Sequence, residues 1–195
     1  MATTRSPRER MVFSAAQLIR RQGVTATGVR DVVAHAEAPR GSVQHYFPDG
    51  KTQLVGEAVD WAGRYAGRRI DRFLATMRPP TPGKLFAAMV QQWINEYQRD
   101  GFAAGCPLAA ATIDCADTDE KVRAQISRAL NRWRDPITAA LKEMDVPPAK
   151  AGSVATLMLC TLEGALILAR AEQSVQPLQT VARELAPHLD RYATR

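Results

Sequence analysis

The sequence predicts an all-α fold, a small N-terminal group of three helices followed by a larger helical bundle. Three observations carry this. Apolar residues recur three or four apart along almost the whole chain, the spacing of a helix face, and no stretch alternates as a strand would. Proline and glycine punctuation at Gly23, Pro39, Pro48-Asp49-Gly50, Pro79 to Gly83, Gly101 to Gly105 and Pro147-Pro148 cuts that pattern into helix-sized pieces. Between Thr25 and Leu54 the pieces become very short, reading as two brief helices, a tight turn and immediate entry into a third.

The first helix spans about Pro7 to Gln22, with Met11, Ala15, Leu18 and Ile19 inward and Gly23 as its stop. Thr27 is placed to cap the second near Gly28, its hydroxyl accepting an otherwise orphaned amide hydrogen. Val29, Val32, Val33 and Ala36 form the buried stripe of that helix. Pro39 suits the first turn of a new helix, and it pushes Ala38 out of the helical region, so the break falls across Glu37 to Pro39. The next helix then runs only from about Arg40 to Tyr46, because Pro48-Asp49-Gly50 ends it. Lys51 to about Thr76 is long, with Leu54, Val55, Ala58, Trp61 and Tyr65 on one face.

Leu85 to Tyr97 follows, bearing Phe86, Met89, Val90, Trp93 and Ile94, and then a short helix from about Pro107 to Cys115. Asp117 or Thr118 is expected to cap a helix reaching Met144, with Pro136 kinking it. The last pair is Ala149 to Glu172 and Pro177 to Tyr192. The first of these is apolar on more than one side and therefore needs several partners.

A helix as short as Arg40 to Tyr46 is not stable alone and buries little beyond Val43 and Phe47, so it serves to display. What it displays is Arg40, Ser42, Gln44, His45 and Tyr46, donors of the kind that meet phosphates and base edges in a DNA major groove. Arg40 suits guanine and Gln44 adenine, while Thr27, Tyr46 and Lys51 are placed for phosphates.

Gly23 through Phe47, G-V-T-A-T-G-V-R-D-V-V-A-H-A-E-A-P-R-G-S-V-Q-H-Y-F, resembles the DNA-binding domain of the TetR family of bacterial repressors. Phe47 to Val55, Gly105 to Ala110 and Leu162 to Ala165 resemble its LmrA/YxaF-like branch. Two departures are visible. Glu37 stands where the family's turn carries Gly, which strains a residue held at positive φ, and Gln44 stands where Tyr is common. The resemblance implies a helix-turn-helix domain over residues 1–50 and a regulatory and dimerisation domain over 51–195. It further implies a homodimer reading a pseudo-palindromic double-stranded operator, with half-sites about 34 Å apart or slightly more. Leu162, Leu166, Leu178, Val181, Leu185 and Leu189 are the expected dimer contacts. A small apolar or aromatic effector is expected against Phe86, Met89, Trp93, Tyr97, Trp133 and Met158.

Composition agrees. At 195 residues and 46% apolar, the chain can bury one substantial core and a small satellite. The net charge of +6 favours a polyanionic partner, and much of the excess falls near the motif, at Arg5, Arg8, Arg10, Arg20, Arg21, Arg30, Arg40 and Lys51. Arg64, Arg68, Arg69 and Arg72 read as a solvated face. Cys106, Cys115 and Cys160 are odd in number and widely spaced, which suggests neither a disulfide framework nor a zinc site; buried, reduced thiols are the expectation. His35, His45 and His188 lie apart, without a nucleophile motif, Walker loop or metal-ligand helix, so no catalytic residue, metal or cofactor is expected. No apolar stretch reaches the length expected of a membrane span and the N-terminus lacks the hydrophobic segment of a secretory signal, so a cytoplasmic protein is expected. A helical small-molecule carrier would use the same bundle but leave the basic end without a purpose; a gel shift separates the two readings.

Overall fold

A computed structural model describes residues 6–39, 41–117 and 119–193. Among them are nine helices: α1 (Pro7–Gln22), α2 (Val29–His35), α3 (Ser42–Tyr46), α4 (Gly50–Thr76), α5 (Pro82–Asp100), α6 (Pro107–Cys115), α7 (Glu120–Glu143), α8 (Pro148–Glu172) and α9 (Gln176–Asp190). The chain groups into two compact units by packing, not by order along the chain. One contains the residues up to Arg64 together with Cys106–Leu130, and the other Tyr65–Gly105 with Asn131 onward. The helices α2 and α3 therefore share their unit with α6 and the start of α7.

In the first unit α1 opens on a reciprocal cap, in which the Glu9 amide donates to Ser6 Oγ at 3.2 Å and the Ser6 amide to Glu9 Oε2 at 2.8 Å. Met11, Ala15 and Ile19 are buried, and α1 packs against α2 and α6. The α4 glycines allow backbone contact with α7: a Cβ built on Gly63 would lie 2.5 Å from the Ala129 carbonyl oxygen. Asp119 caps α7, its Oδ1 accepting from the Val122 amide at 3.0 Å. The expected cap is Asp117 or Thr118; Thr118 lies outside the described residues, and Asp117 stands two residues before the cap because the helix starts at Glu120. That helix is continuous through Pro136.

In the second unit α5 packs on α9, and α9 on α8. The Gly83 amide donates to Asp190 Oδ1 at 2.7 Å, and a Cβ at Gly83 would come within 2.4 Å of the Ala186 carbonyl oxygen, so the two helices touch backbone to backbone. At 25 residues, α8 is long and apolar enough by composition to cross a membrane, contrary to the sequence reading. Here, however, Ala151, Val154, Ala155, Met158, Leu162, Ala165, Leu166 and Ala169 are buried inside the protein, as in a core helix.

Candidate nucleic-acid interface

The turn between α2 and α3 is built from backbone conformations that side chains resist. Glu37 has φ 49° and Gly41 φ 91°, so Glu37 occupies the left-handed region that glycine enters freely. Three bonds hold it there: the Ala38 amide donates to the Val33 carbonyl at 3.1 Å, and Arg10 on α1 donates from Nε to the Ala36 carbonyl at 3.0 Å and from Nη2 to the Glu37 carbonyl at 3.3 Å. The Arg10 guanidinium thus satisfies carbonyls that the end of α2 leaves open. Sequence reading counted this arginine only as charge.

Beyond the turn, α3 is anchored at its far end by the fully buried Phe47, with the Arg8 guanidinium 5.3 Å above its ring and salt-bridged to Glu57 at 2.6 Å. Val43 is half-buried, and Gln44 and His45 are exposed. Tyr46 is half-buried, its ring edge-on to His45 with centroids 4.8 Å apart. Arg40 lies outside the described residues. The Ser42 hydroxyl donates its one hydrogen to the Pro39 carbonyl at 2.7 Å, so this residue builds the turn and is not the free donor expected.

Thr27 is a second correction. It is 3% exposed and its hydroxyl donates to the Gly23 carbonyl at 2.6 Å, so it neither caps α2 nor reaches a phosphate. The cap position belongs to Gly28, whose amide donates to Asp31 Oδ2 at 3.1 Å. Thr25 is exposed, and the half-buried Lys51 sets its Nζ 3.4 Å from the Thr25 carbonyl oxygen. Next to it, burial and then the Asp114 and Asp119 carboxylates push the Cys115 thiol above its ordinary pKa, with Lys51 opposing. This thiol is protonated at neutral pH and is a poor nucleophile.

In the second unit Phe86, Met89, Trp93, Tyr97, Trp133 and Met158 are all buried. Trp93 and Tyr97 have centroids 5.9 Å apart, and Phe102, in the loop after α5, extends the aromatic row with its ring 4.9 Å from Tyr97. Arg170 pins that loop, donating to the Phe102 and Ala103 carbonyls at 3.3 Å each.

The expected dimer contacts need correcting. Leu162, Leu166, Leu178 and Leu189 are at most 2% exposed, packed within the chain, and have no surface to offer a copy. Val181 and Leu185 are half-buried. The outward side of α8 is instead Leu157 (40% exposed), Cys160, Gly164, Ile167 (59%) and Leu168 (52%). A helix apolar all round carries two such stripes, and periodicity does not say which one faces the core.

Among the described residues there is no group of three or more His, Cys, Asp or Glu able to hold a metal.

Residues 14–58 match the family model for bacterial regulatory proteins of the tetR family, and residues 82–184 that for the C-terminal domain of LmrA/YxaF-like transcriptional regulators. An HTH-type transcriptional regulator of Mycobacterium tuberculosis, Rv0196, is 39% identical over 184 residues, 92% of each chain. YxaF of Bacillus subtilis is 24% identical over 185 residues, 95% of this chain and 96% of its own. Among solved structures, a TetR regulator from Legionella pneumophila superposes with a TM-score of 0.81 at 16% identity, covering 97% of this chain and 100% of that one. The reduced form of Escherichia coli NemR gives 0.78 at 20%, covering 93% and 96%. The regulators among these relatives have a non-enzymatic role. A turn held in the left-handed region, a five-residue helix showing Gln44 and His45, and matches spanning both parts of the chain lead to one conclusion: this protein belongs to the TetR family of helix-turn-helix transcriptional regulators, in its LmrA/YxaF-like branch.

Proposed function

We propose that the chain acts as a homodimeric repressor that reads a pseudo-palindromic operator through α3 and is released by a small apolar or aromatic molecule. The observation that carries the reading is the exposure of Gln44 and His45 on a helix whose own position is fixed by Phe47 and the Glu37 turn. Gln44 reads adenine through paired hydrogen bonds and Arg40 reads guanine, while the Tyr46 and Lys51 side chains meet phosphates. One such helix contacts few base pairs, so two copies related by a twofold axis supply the rest. The copies meet through the uncharged outer stripe of α8, Leu157, Cys160, Gly164, Ile167 and Leu168, with Val181 and Leu185 beside it. The effector enters among Phe86, Met89, Trp93, Tyr97, Trp133 and Met158. It weakens DNA binding only to the extent that it binds the DNA-incompetent arrangement more tightly. Its place of action is the cytoplasm, where bacterial DNA lies.

Selection of bound fragments from a sheared bacterial genomic DNA pool tests this. The expected result is enrichment of one inverted repeat. Recovery of fragments without a shared site removes the sequence-reading role.

A further inference from the structure

We infer that Asp114 on α6 is a positioning residue for DNA binding, holding the α1–α2 loop so that the Lys51 amine is aimed. The proposal rests on the reading of Lys51 as a phosphate contact.

The loop from Gly23 to Gly28 is tied mostly to itself and to its flanking helices. The Gly23 amide donates to Ile19, the Thr27 hydroxyl to the Gly23 carbonyl, the Thr27 amide to Val24 and the Gln22 side chain to Ala26. Among the described residues, the Thr25 backbone takes two bonds from elsewhere in the chain. Its amide donates to Asp114 Oδ2 at 2.9 Å, and its carbonyl accepts from Lys51 Nζ at 3.4 Å. A single residue's backbone therefore joins a carboxylate on α6 to the amine at the start of α4. An ionised acceptor makes the stronger kind of hydrogen bond, and here it also sets the orientation of the carbonyl on which Lys51 rests.

Gly23 lies against the same carboxylate. Its φ of 80° favours glycine, and a Cβ built there would stand 2.5 Å from Asp114 Oδ2, so the carboxylate packs directly on the loop backbone. Asp119 performs a parallel task on the same helix as Lys51, with its Oδ2 accepting from the Thr52 hydroxyl at 3.2 Å. Lys51 thus rises between two residues whose side chain or backbone is fixed by acidic groups from outside the helix-turn-helix.

The test is a salt titration of binding to a fluorescent mixed-sequence 30-base-pair duplex, which reports phosphate contacts without needing the operator. For wild type, Asp114→Ala, Lys51→Ala and the double variant, the slope of log affinity against log salt counts the contacts, at about 0.9 per phosphate. Lys51→Ala should flatten the slope by about one contact, Asp114→Ala should do the same, and the double variant should fall no further than Lys51→Ala alone. Asp114→Asn retains an acceptor for the Thr25 amide and should restore the wild-type slope. Should Asp114→Ala not fold, Asp114→Ser, too short to reach Thr25, takes its place. An unchanged or steeper slope in Asp114→Ala, or full additivity in the double variant, overturns the positioning role while leaving Lys51 a phosphate contact. An unchanged slope in Lys51→Ala overturns both.

Discussion

Two helices of this chain, α3 and α8, obey opposite rules. None of the five residues of α3 is buried, and its position is dictated from outside by the Glu37 and Gly41 backbone, by Arg10 and by Phe47. The 25 residues of α8 are held by their own side chains, packed from Ala151 to Ala169. The difference teaches where a substitution is felt. At the exposed Gln44 and His45 of α3 a changed side chain leaves the fold alone and, on the proposed reading, alters what is recognised, whereas on the inner stripe of α8 it alters the fold first.

The largest expected effect lies on α8. Leu162→Ala removes a fully buried side chain and should destabilise the protein by about 2–5 kcal/mol, seen as a lower urea midpoint with unchanged slope. On the outer stripe of the same helix, Ile167→Glu should leave the fold intact while placing a charge in the proposed dimer contact. That is expected to weaken association by several kcal/mol and yield a folded monomer in sedimentation. If Ile167→Glu sediments as a dimer, the outer stripe is not the interface. Gln44→Ala should shift stability by no more than about 0.5 kcal/mol yet lose about 1–3 kcal/mol of preference for the selected operator over random DNA. An equal loss on both DNAs would place Gln44 on the backbone instead of a base. Glu37→Gly relieves a left-handed residue and should raise stability by about 1 kcal/mol, read from thermal melting, with operator preference unchanged. The smallest effect concerns the thiols: iodoacetamide at neutral pH should modify Cys160, exposed on the single chain, faster in Ile167→Glu than in wild type, where the proposed dimer contact covers it, while the buried Cys106 and Cys115 stay slow in both, followed by mass spectrometry.

The same contrast explains how far the sequence could be read. The helix count, the short reading helix and the strain at Glu37 are local matters, written in spacing, in Pro39 and Pro48-Asp49-Gly50, and in the absence of a glycine. Thr27 was misread because a hydroxyl before a helix can turn forward to a free amide or back to a carbonyl. Gly23, four residues earlier, offers the carbonyl at 2.6 Å, and no local pattern distinguishes the two. The α7 cap moved to Asp119 for a similar reason, three acceptors in a row being interchangeable on paper. Arg10 looked like one more cation, since its two carbonyl acceptors lie 26 and 27 residues away. The inner and outer stripes of α8 were confused because both are apolar, and only the presence of α9 decides between them.

The α3 segment runs from a left-handed Gly41 to the fully buried Phe47, with Gln44 and His45 exposed between these fixed ends. On the proposed reading of Gln44 and His45, single codon changes there would retune which promoters are bound without a compensating change elsewhere. Descendants of one ancestral gene can therefore diverge in target faster than in architecture, and a duplicated copy can acquire a new regulon before it accumulates any structural novelty.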